Sequence, residues 1–384
     1  MRLLRVCPIL MFVLLPVAGV GRAGEFVAAH VLPGGIIDPD RRTGYFATPE
    51  GGIDAVDLAT GQVHWQTVEG QRPLFVRDDR LYAVAAVTKN RPWRFMGFKL
   101  NEPSPGTHGF CVRAFALHDD GNLVLESDAV EMPEWVGVRA APGQAFLTRW
   151  QVGEDALVLN WEVRTWYAGS KRPTPQMQAG ARQHLEGAVR VLFESGTTTA
   201  AAPLPQPPPA PSWPFAEDLQ GMALRWEGRS GVCYKAVVVE AAAGKETLVL
   251  RSWNYATHAP EVARELATGK ALVVLPTTDE RYLCVREAMP SPDQRLSEAD
   301  RQRCDWTIFA LETGARVASL PYVPGTQTVT ILDGRAFVQI GGPLLGRINQ
   351  PFNQPRTLRA VALKSGKILW ERPLPSKIIM PPPS

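Results

Sequence analysis

The sequence has no C-x-x-C, no C-x-x-C-H and no adjacent pair among its five cysteines. It therefore lacks the spacings on which thiolate metal sites and covalently attached haem are built. Its six histidines, His30, His64, His108, His118, His184 and His258, show no H-x-H or H-E-x-x-H spacing, so they read as isolated surface residues rather than metal ligands. Glu194-Ser195-Gly196 lacks the G-x-S-x-G frame of a nucleophile elbow, and its serine belongs to a turn. Asp38-Pro39-Asp40 and Asp119-Asp120-Gly121 bring carboxylates together without the D-x-D-x-D-G spacing of a helical-hand calcium loop, and turn formation accounts for both. Blocks of like charge are missing too: 41 basic and 38 acidic residues mix to a net charge of +3, which leaves no electrostatic footprint for nucleic acid. Beyond Val20 there is no apolar run long enough to span a bilayer. No catalytic, cofactor-binding or metal-binding residue is assigned on these grounds.

What is present begins with Arg2 and Arg5, the mainly apolar run Val6 to Val20, and the small-residue frame Gly21-Arg22-Ala23. Residues 1–23 read as a signal peptide cleaved after Ala23, the alternative being an uncleaved anchor. The interruptions at Pro8 and Pro16 and the shortness of the run favour cleavage. Cys7 has no small-residue box before it and is not read as a lipid attachment point. A periplasmic or extracellular location follows, without a membrane span once the signal is removed. Export leaves Cys111, Cys233, Cys284 and Cys304 for an oxidising compartment. Cys284 and Cys304 flank an insertion, so they read either as a bridge closing that loop or as buried thiols.

A repeat organises the rest. Ile53 to Trp65 alternates as a strand, turns at Thr60-Gly61 and continues as a second strand, which is a hairpin pattern. Leu358 to Trp370 repeats it around Ser365-Gly366, and Trp306 to Leu320 around Thr313-Gly314, ending in Leu320 instead of Trp. Weaker copies surround Asp120-Gly121, Ser195-Gly196 and Thr268-Gly269. A second signal, a polar turn feeding an alternating strand, stands at Asp79-Arg80, Asp279-Glu280 and Asp333-Gly334. In physical terms the Asp or Thr bonds the turn backbone, the Gly supplies positive φ, and the Trp buries a large face where sheets pack. Gly61, Trp65, Gly314, Gly366 and Trp370 are accordingly structural repeat residues.

Ala55, Asp57, Thr60, Gly61 and Trp65 match A-x-D-x-x-T-G-x-x-x-W, and here the chain resembles the pyrroloquinoline-quinone-type repeat proteins. The resemblance implies an all-β fold, a β-propeller of four-stranded antiparallel blades. Six repeats can be counted. Seven or eight stay open, because a degenerate blade could lie between Ser127 and Val262. The repeat glycines are 45 to 75 residues apart, whereas a blade needs about 40 to 50, so insertions must take up the excess. They are read at 90–109, 169–184, 203–217 and 288–303, with short helices at 175–185 and 297–303 and a polyproline stretch at 203–211. The chain thus divides into the signal peptide, a single propeller over 24–379, and a disordered tail at 380–384. Glu25 to Val31 is expected to pair into the last blade and join the two ends of the ring. Quinone-dependent relatives carry an adjacent-cysteine ring and greater length, both missing here, so no cofactor is expected. Trp93, Trp135, Trp161, Trp166 and Trp213 lie outside the repeat position, either packing insertions onto the propeller or anchoring a partner.

The leading expectation is a monomeric, non-catalytic extracytoplasmic scaffold that binds a protein or an envelope glycan through its insertions. At the level of fold it resembles the scaffold propeller of bacterial outer-membrane assembly. The alternative is a degenerate quinoprotein or another propeller enzyme with its site at the channel mouth.

Overall fold

The computed structural model describes residues 30–38, 40–95, 98–133, 143–166, 184–205, 221–225, 232–241, 244–254, 257, 259–277, 281–288, 304–323, 325–343 and 353–375. Regular structure in this set is antiparallel β throughout, arranged as six sheets in chain order with no α-helix among the described residues. Sheet I holds β1 (His30–Leu32), β2 (Gly35–Ile37), β3 (Thr43–Ala47), β4 (Ile53–Asp57) and β5 (Val63–Thr67). Sheet II holds β6 (Arg72–Arg77), β7 (Arg80–Phe95), β8 (Phe98–Ala116) and, both paired to β8, β9 (Leu123–Glu126) and β10 (Val130–Glu131). Sheet III is β11 (Gly143–Val152), β12 (Ala156–Trp166), β13 (His184–Leu192) and β14 (Thr198–Ala200). Sheet IV is β15 (Gly221–Arg225), β16 (Val232–Glu240), β17 (Glu246–Asn254) and β18 (Ala259–Gly269). Sheet V is β19 (Leu272–Pro276), β20 (Tyr282–Glu287), β21 (Trp306–Ala310) and β22 (Arg316–Leu320). Sheet VI is β23 (Thr326–Leu332), β24 (Arg335–Pro343), β25 (Asn353–Ala362) and β26 (Ile368–Leu374).

Successive side chains on a strand point to opposite faces, so a strand buried on both faces divides its residues between two neighbouring sheets. In β4, Ile53 and Ala55 join an apolar cluster with sheet II, while Val56 joins one with sheet VI. In β20, Leu283 and Val285 pack toward sheet IV and Cys284 toward sheet VI. Shared clusters of this kind join I to II, II to III, IV to V, V to VI, and VI back to I. The first and last sheets are therefore neighbours: Leu32, Ile37, Phe46, Val56 and Leu58 pack with Phe337, Leu358, Ala360, Trp370 and Leu374.

The repeat turn works as the sequence suggests. Asp57 Oδ1 accepts from the backbone N–H of Ala59 at 2.9 Å and of Thr60 at 2.7 Å, and from the Thr60 hydroxyl at 2.8 Å. These donors, the hydroxyl first, hold its carboxyl below the usual range. Gly61 follows at φ 77°, and Gly121, Gly196, Gly314 and Gly366 take the same left-handed conformation. Each of them lies against the preceding sheet. A Cβ on Gly121 would stand 2.3 Å from the Trp65 ring, and one on Gly61 would stand 2.5 Å from the Trp370 ring. The glycine thus serves twice, once for the turn and once as the floor on which the neighbouring tryptophan rests.

Register shows what occupies the tryptophan position elsewhere. The cross-strand pairs after the five left-handed glycines are Ala55–Trp65, Ala114–Leu125, Val189–Ala200, Ile308–Ala318 and Ala360–Trp370. In each pair one member is alanine, so no pair sets two large side chains opposite each other. The residue aligned with Trp65 and Trp370 in sheet V is thus Ala318 and not the expected Leu320. Its neighbour Gly366 meets only Pro321 Cδ, at 3.8 Å. A cleft of about 80 Å³ opens there, lined by Trp306, Leu320, Pro321, Val338, Val361 and Gly366 among others.

Several expectations need correction. Gly269 is not a hairpin glycine. It ends β18 opposite Glu246 without positive φ, because its Thr-Gly leads into the next sheet. His30–Leu32 pairs with Gly35–Ile37 inside the first sheet, so the ends of the chain meet by side-chain packing, with no backbone pairing to β26 among the described residues. Residues 90–95 and 98–109 continue β7 and β8 rather than forming a loop. The remaining expected insertions lie outside the described residues except at 184, 203–205 and 288, as do residues 1–29 and 376–384 and all of the two expected helices but residues 184–185, which are strand.

Candidate binding face

Cys111, Cys233, Cys284 and Cys304 are all buried thiols, and the Cys284–Cys304 bridge is not formed. Register explains why. Cys284 faces Ile308 on β21, four residues beyond Cys304, so closing the loop in sequence does not bring the two sulfurs together. Burial raises the Cys111 thiol to about 11.

Several arginines tie neighbouring sheets together. Arg77 of β6 lies over the Phe193 ring and donates to the Gly153 and Glu154 carbonyls of sheet III. Arg264 of β18 reaches the Glu312 carbonyl of sheet V at 2.9 Å. Arg41 pairs with Asp333 at 3.3 Å, and Arg372 pairs with Asp54 over the Phe46 ring, both across the junction of sheets VI and I. Desolvation lowers the Arg372 guanidinium from its ordinary range, with Asp54 acting against that shift. Arg286 lies 4.9 Å from the Trp306 ring centre and 4.2 Å from that of Tyr322. Arg72 is half-buried, and desolvation brings it down to about 10.

The carboxylate pairs noted in the sequence are also turn elements. Tyr45 donates to Asp38 Oδ2 at 2.9 Å, and Asp38 and Asp40 each accept from backbone N–H groups two residues on. Desolvation raises the Asp38 carboxyl. Asp120 and Gly121 take left-handed φ in their turn. No group of three His, Cys, Asp or Glu among the described residues could hold a metal ion. Trp161 is core, meeting the Phe110 ring edge-on. Sequence reading missed one grouping: His184 Nε2 lies 2.8 Å from Glu162 and 3.7 Å from Glu186, on adjacent strands of sheet III. Only the register Glu162–Glu186, remote in sequence, makes this association.

Connectivity then separates the two ends of each sheet. In an antiparallel meander the first-to-second and third-to-fourth connections share one end, while the second-to-third connection and the crossing to the next sheet share the other. At the first end the connections are tight, as at Asp78-Asp79 and Asp333-Gly334, where both turn residues have positive φ as in type I′ hairpins. None there exceeds six residues. Every longer connection, 132–142, 167–183, 201–220, 288–305 and 344–352, belongs to the opposite, open end. There too β7 and β8 run on as a ribbon beyond the last residues paired with β6, β9 and β10. His184 and Glu162 flank one of these long connections.

No family model matches this chain, and no curated protein matches it in sequence. Among solved structures it is similar to dihydro-heme d1 dehydrogenase NirN in complex with DHE, at 14% identity and TM-score 0.27, covering 90% of this chain and 66% of that one. It is also similar to BamB from Moraxella catarrhalis, at 11% identity and TM-score 0.26, covering 79% of this chain and 78% of that one. A prolyl endopeptidase gives 12% identity and TM-score 0.27, covering 90% of this chain and 42% of the other. The chain spans just under two thirds of the NirN chain and well under half of the endopeptidase. No described helix is long and apolar enough to cross a membrane.

Proposed function

We propose that this chain is an exported, six-bladed β-propeller of the pyrroloquinoline-quinone repeat type that acts without catalysis, binding a protein or cell-envelope ligand at its open end. One observation carries the reading: every connection longer than six residues leaves the sheets at that end, while the other end is closed by tight turns. Binding residues concentrate on loops held by a rigid scaffold. The packing of sheet VI on sheet I supports ring closure. Among the described residues, the arginines and carboxylates identified above hold turns and sheet junctions together, which favours a scaffold over an enzyme. Residues 1–23, read as a signal peptide, support export.

The test is purification from the native envelope after crosslinking, with mass spectrometry of what accompanies the chain. A defined partner that is lost when 206–217 or 289–303 is replaced by a short Gly-Ser linker, with thermal unfolding unchanged, supports the reading. Recovery of bare monomer from every preparation would remove it. The enzyme alternative has one geometric foothold, the His184–Glu162 pair. It predicts a turnover that His184→Ala abolishes.

A further inference from the structure

Of the five repeat-hairpin glycines with positive φ, four have the space above them filled. A Cβ on Gly61 would strike the Trp370 ring and one on Gly121 the Trp65 ring. One on Gly196 would stand 2.6 Å from the Glu126 carbonyl, and one on Gly314 3.2 Å from Arg264 and 3.3 Å from Leu266. Gly366 differs, for the nearest atom is Pro321 Cδ at 3.8 Å. Register gives the reason. Sheet V has Ala318 where sheets I and VI have tryptophan, and it carries an indole on β21 instead, at Trp306 opposite Leu320. By the two-residue alternation Trp306 and Leu320 share a face with Ile308 and Ala318, so this indole walls the vacant seat and does not fill it.

The resulting cleft of about 80 Å³ is apolar, with Ile368 among its lining residues and 46% exposed. Arg359 also lines it, but its charge is paired with Glu371, so the cleft does not call for an anion. A glycine floor between apolar walls suits a flat ring, as Trp65 on Gly121 and Trp370 on Gly61 demonstrate. A closed cavity of about 150 Å³ takes up benzene. This smaller cleft therefore seats a ring in part and leaves the remainder of the occupant outside, which suits a side chain borne on a backbone. Two further features favour a peptide. β22 is the last strand of sheet V, and no described strand pairs with its outer side, so its outward N–H and C=O groups can receive an added strand. Trp306 is 4% exposed and its indole Nε1 has no hydrogen-bond partner; a peptide brings carbonyl acceptors that a bare ring lacks.

We propose that the cleft above Gly366 is a binding site for an aromatic side chain, tryptophan foremost, presented by an extended segment of a partner protein lying along β22. Gly366 belongs to the tight connection between β25 and β26, so this site is at the end opposite the long connections and stands independently of the open-end reading.

The full chain, purified as it accumulates in cells, is titrated with three probes by ligand-observed saturation-transfer NMR: a blocked pentapeptide with tryptophan between two pairs of glycines, the same peptide with leucine in its place, and 3-methylindole. The tryptophan peptide is expected to bind more tightly than the other two. Ile308→Ala with Ala318→Trp recreates the pairing of Ala55 with Trp65 and fills the seat from within. It should weaken the peptide by about tenfold or more, the worth of one aromatic contact. Ile368→Glu should weaken it too. Val63→Glu, at the matching register position beside Gly61, whose seat Trp370 already fills, should leave it unchanged. No binding of the tryptophan peptide, equal affinity for the leucine peptide, or a folded double variant that binds like the parent would each overturn the proposal. Binding of 3-methylindole as tight as that of the peptide would make this a site for a free aromatic molecule and overturn the peptide assignment. Should the double variant not fold, equal effects of Ile368→Glu and Val63→Glu would overturn the proposal by themselves.

Discussion

The tryptophan-on-glycine contact is the smallest unit that explains this molecule. Gly121 sits at φ 72° with the Trp65 ring where a Cβ would go, whereas Gly244 sits at φ 69° with nothing within 4 Å. Gly121→Ala must meet both the left-handed backbone and the ring, and Gly244→Ala only the first. Denaturant unfolding should show a loss of about 1–2 kcal/mol for Gly244→Ala and a further 1–3 kcal/mol for Gly121→Ala from overpacking. Asp57 offers a pH test. Its folded carboxyl is depressed by the Thr60 hydroxyl first, so its contribution is complete above the unfolded value near 3.9 and disappears as pH falls through the lower folded value. The stability gap between the parent and Asp57→Ala should therefore be constant at neutral pH and close in acid below about pH 4. Cys111, held at about 11 by burial, should resist iodoacetamide in the native chain at mildly alkaline pH and react once the chain is unfolded. Rapid native alkylation at that residue would contradict its placement.

At the level of the element, the facing pairs follow a rule of one large side chain against one alanine rather than of identity. Ala55 faces Trp65 in one sheet, and Ile308 faces Ala318 in another. Converting the first pair toward the second tests this. Trp65→Ala should cost about 3–5 kcal/mol, Ala55→Ile about 1–3 kcal/mol, and the double variant less than their sum by about 1–3 kcal/mol. Strict additivity in a double-mutant cycle would show that the pairing is incidental. The same rule explains why the repeat degrades in the sequence. A Trp is needed only where its cross-strand partner is small, so its loss in sheet V is accompanied by Ile308 and leaves the cleft above Gly366. Thr268-Gly269 shows the opposite failure, for a two-residue motif at the end of a strand carries no record of whether the chain turns back or crosses to the next sheet.

At the scale of the whole molecule, the pairing of opposite termini is the long-range contact of greatest consequence. Trp370 Nε1 donates to the Leu58 carbonyl at 3.1 Å across 312 residues of chain. A closed ring over residues 24–375 should give a radius of gyration of about 20 Å by small-angle scattering. An open row of sheets would be longer, and Trp370→Ala would leave it compact only if the remaining contacts of that junction suffice. The all-β class, the Gly61 and Gly366 turns and the tight Asp79 and Asp333 hairpins were readable in advance, because each depends on a few adjacent residues. The His184–Glu162 association, the separation of Cys284 from Cys304 and the true occupant of the tryptophan position were not, because each depends on which residues of different strands face each other.

The sequence by itself determined the repeat hairpins, the left-handed turns at Gly61 and Gly366 and the absence of blocked charge, since backbone conformation and alternation are local properties. Only the tertiary structure decided register, and with it everything that requires two distant segments to be side by side: the large-small pairs between sheets, the arginine ties across the terminal junction, and the sorting of tight turns to one end and long connections to the other. A shift of one residue in a strand exchanges its faces, so no local pattern could have settled which aromatic rests on which glycine.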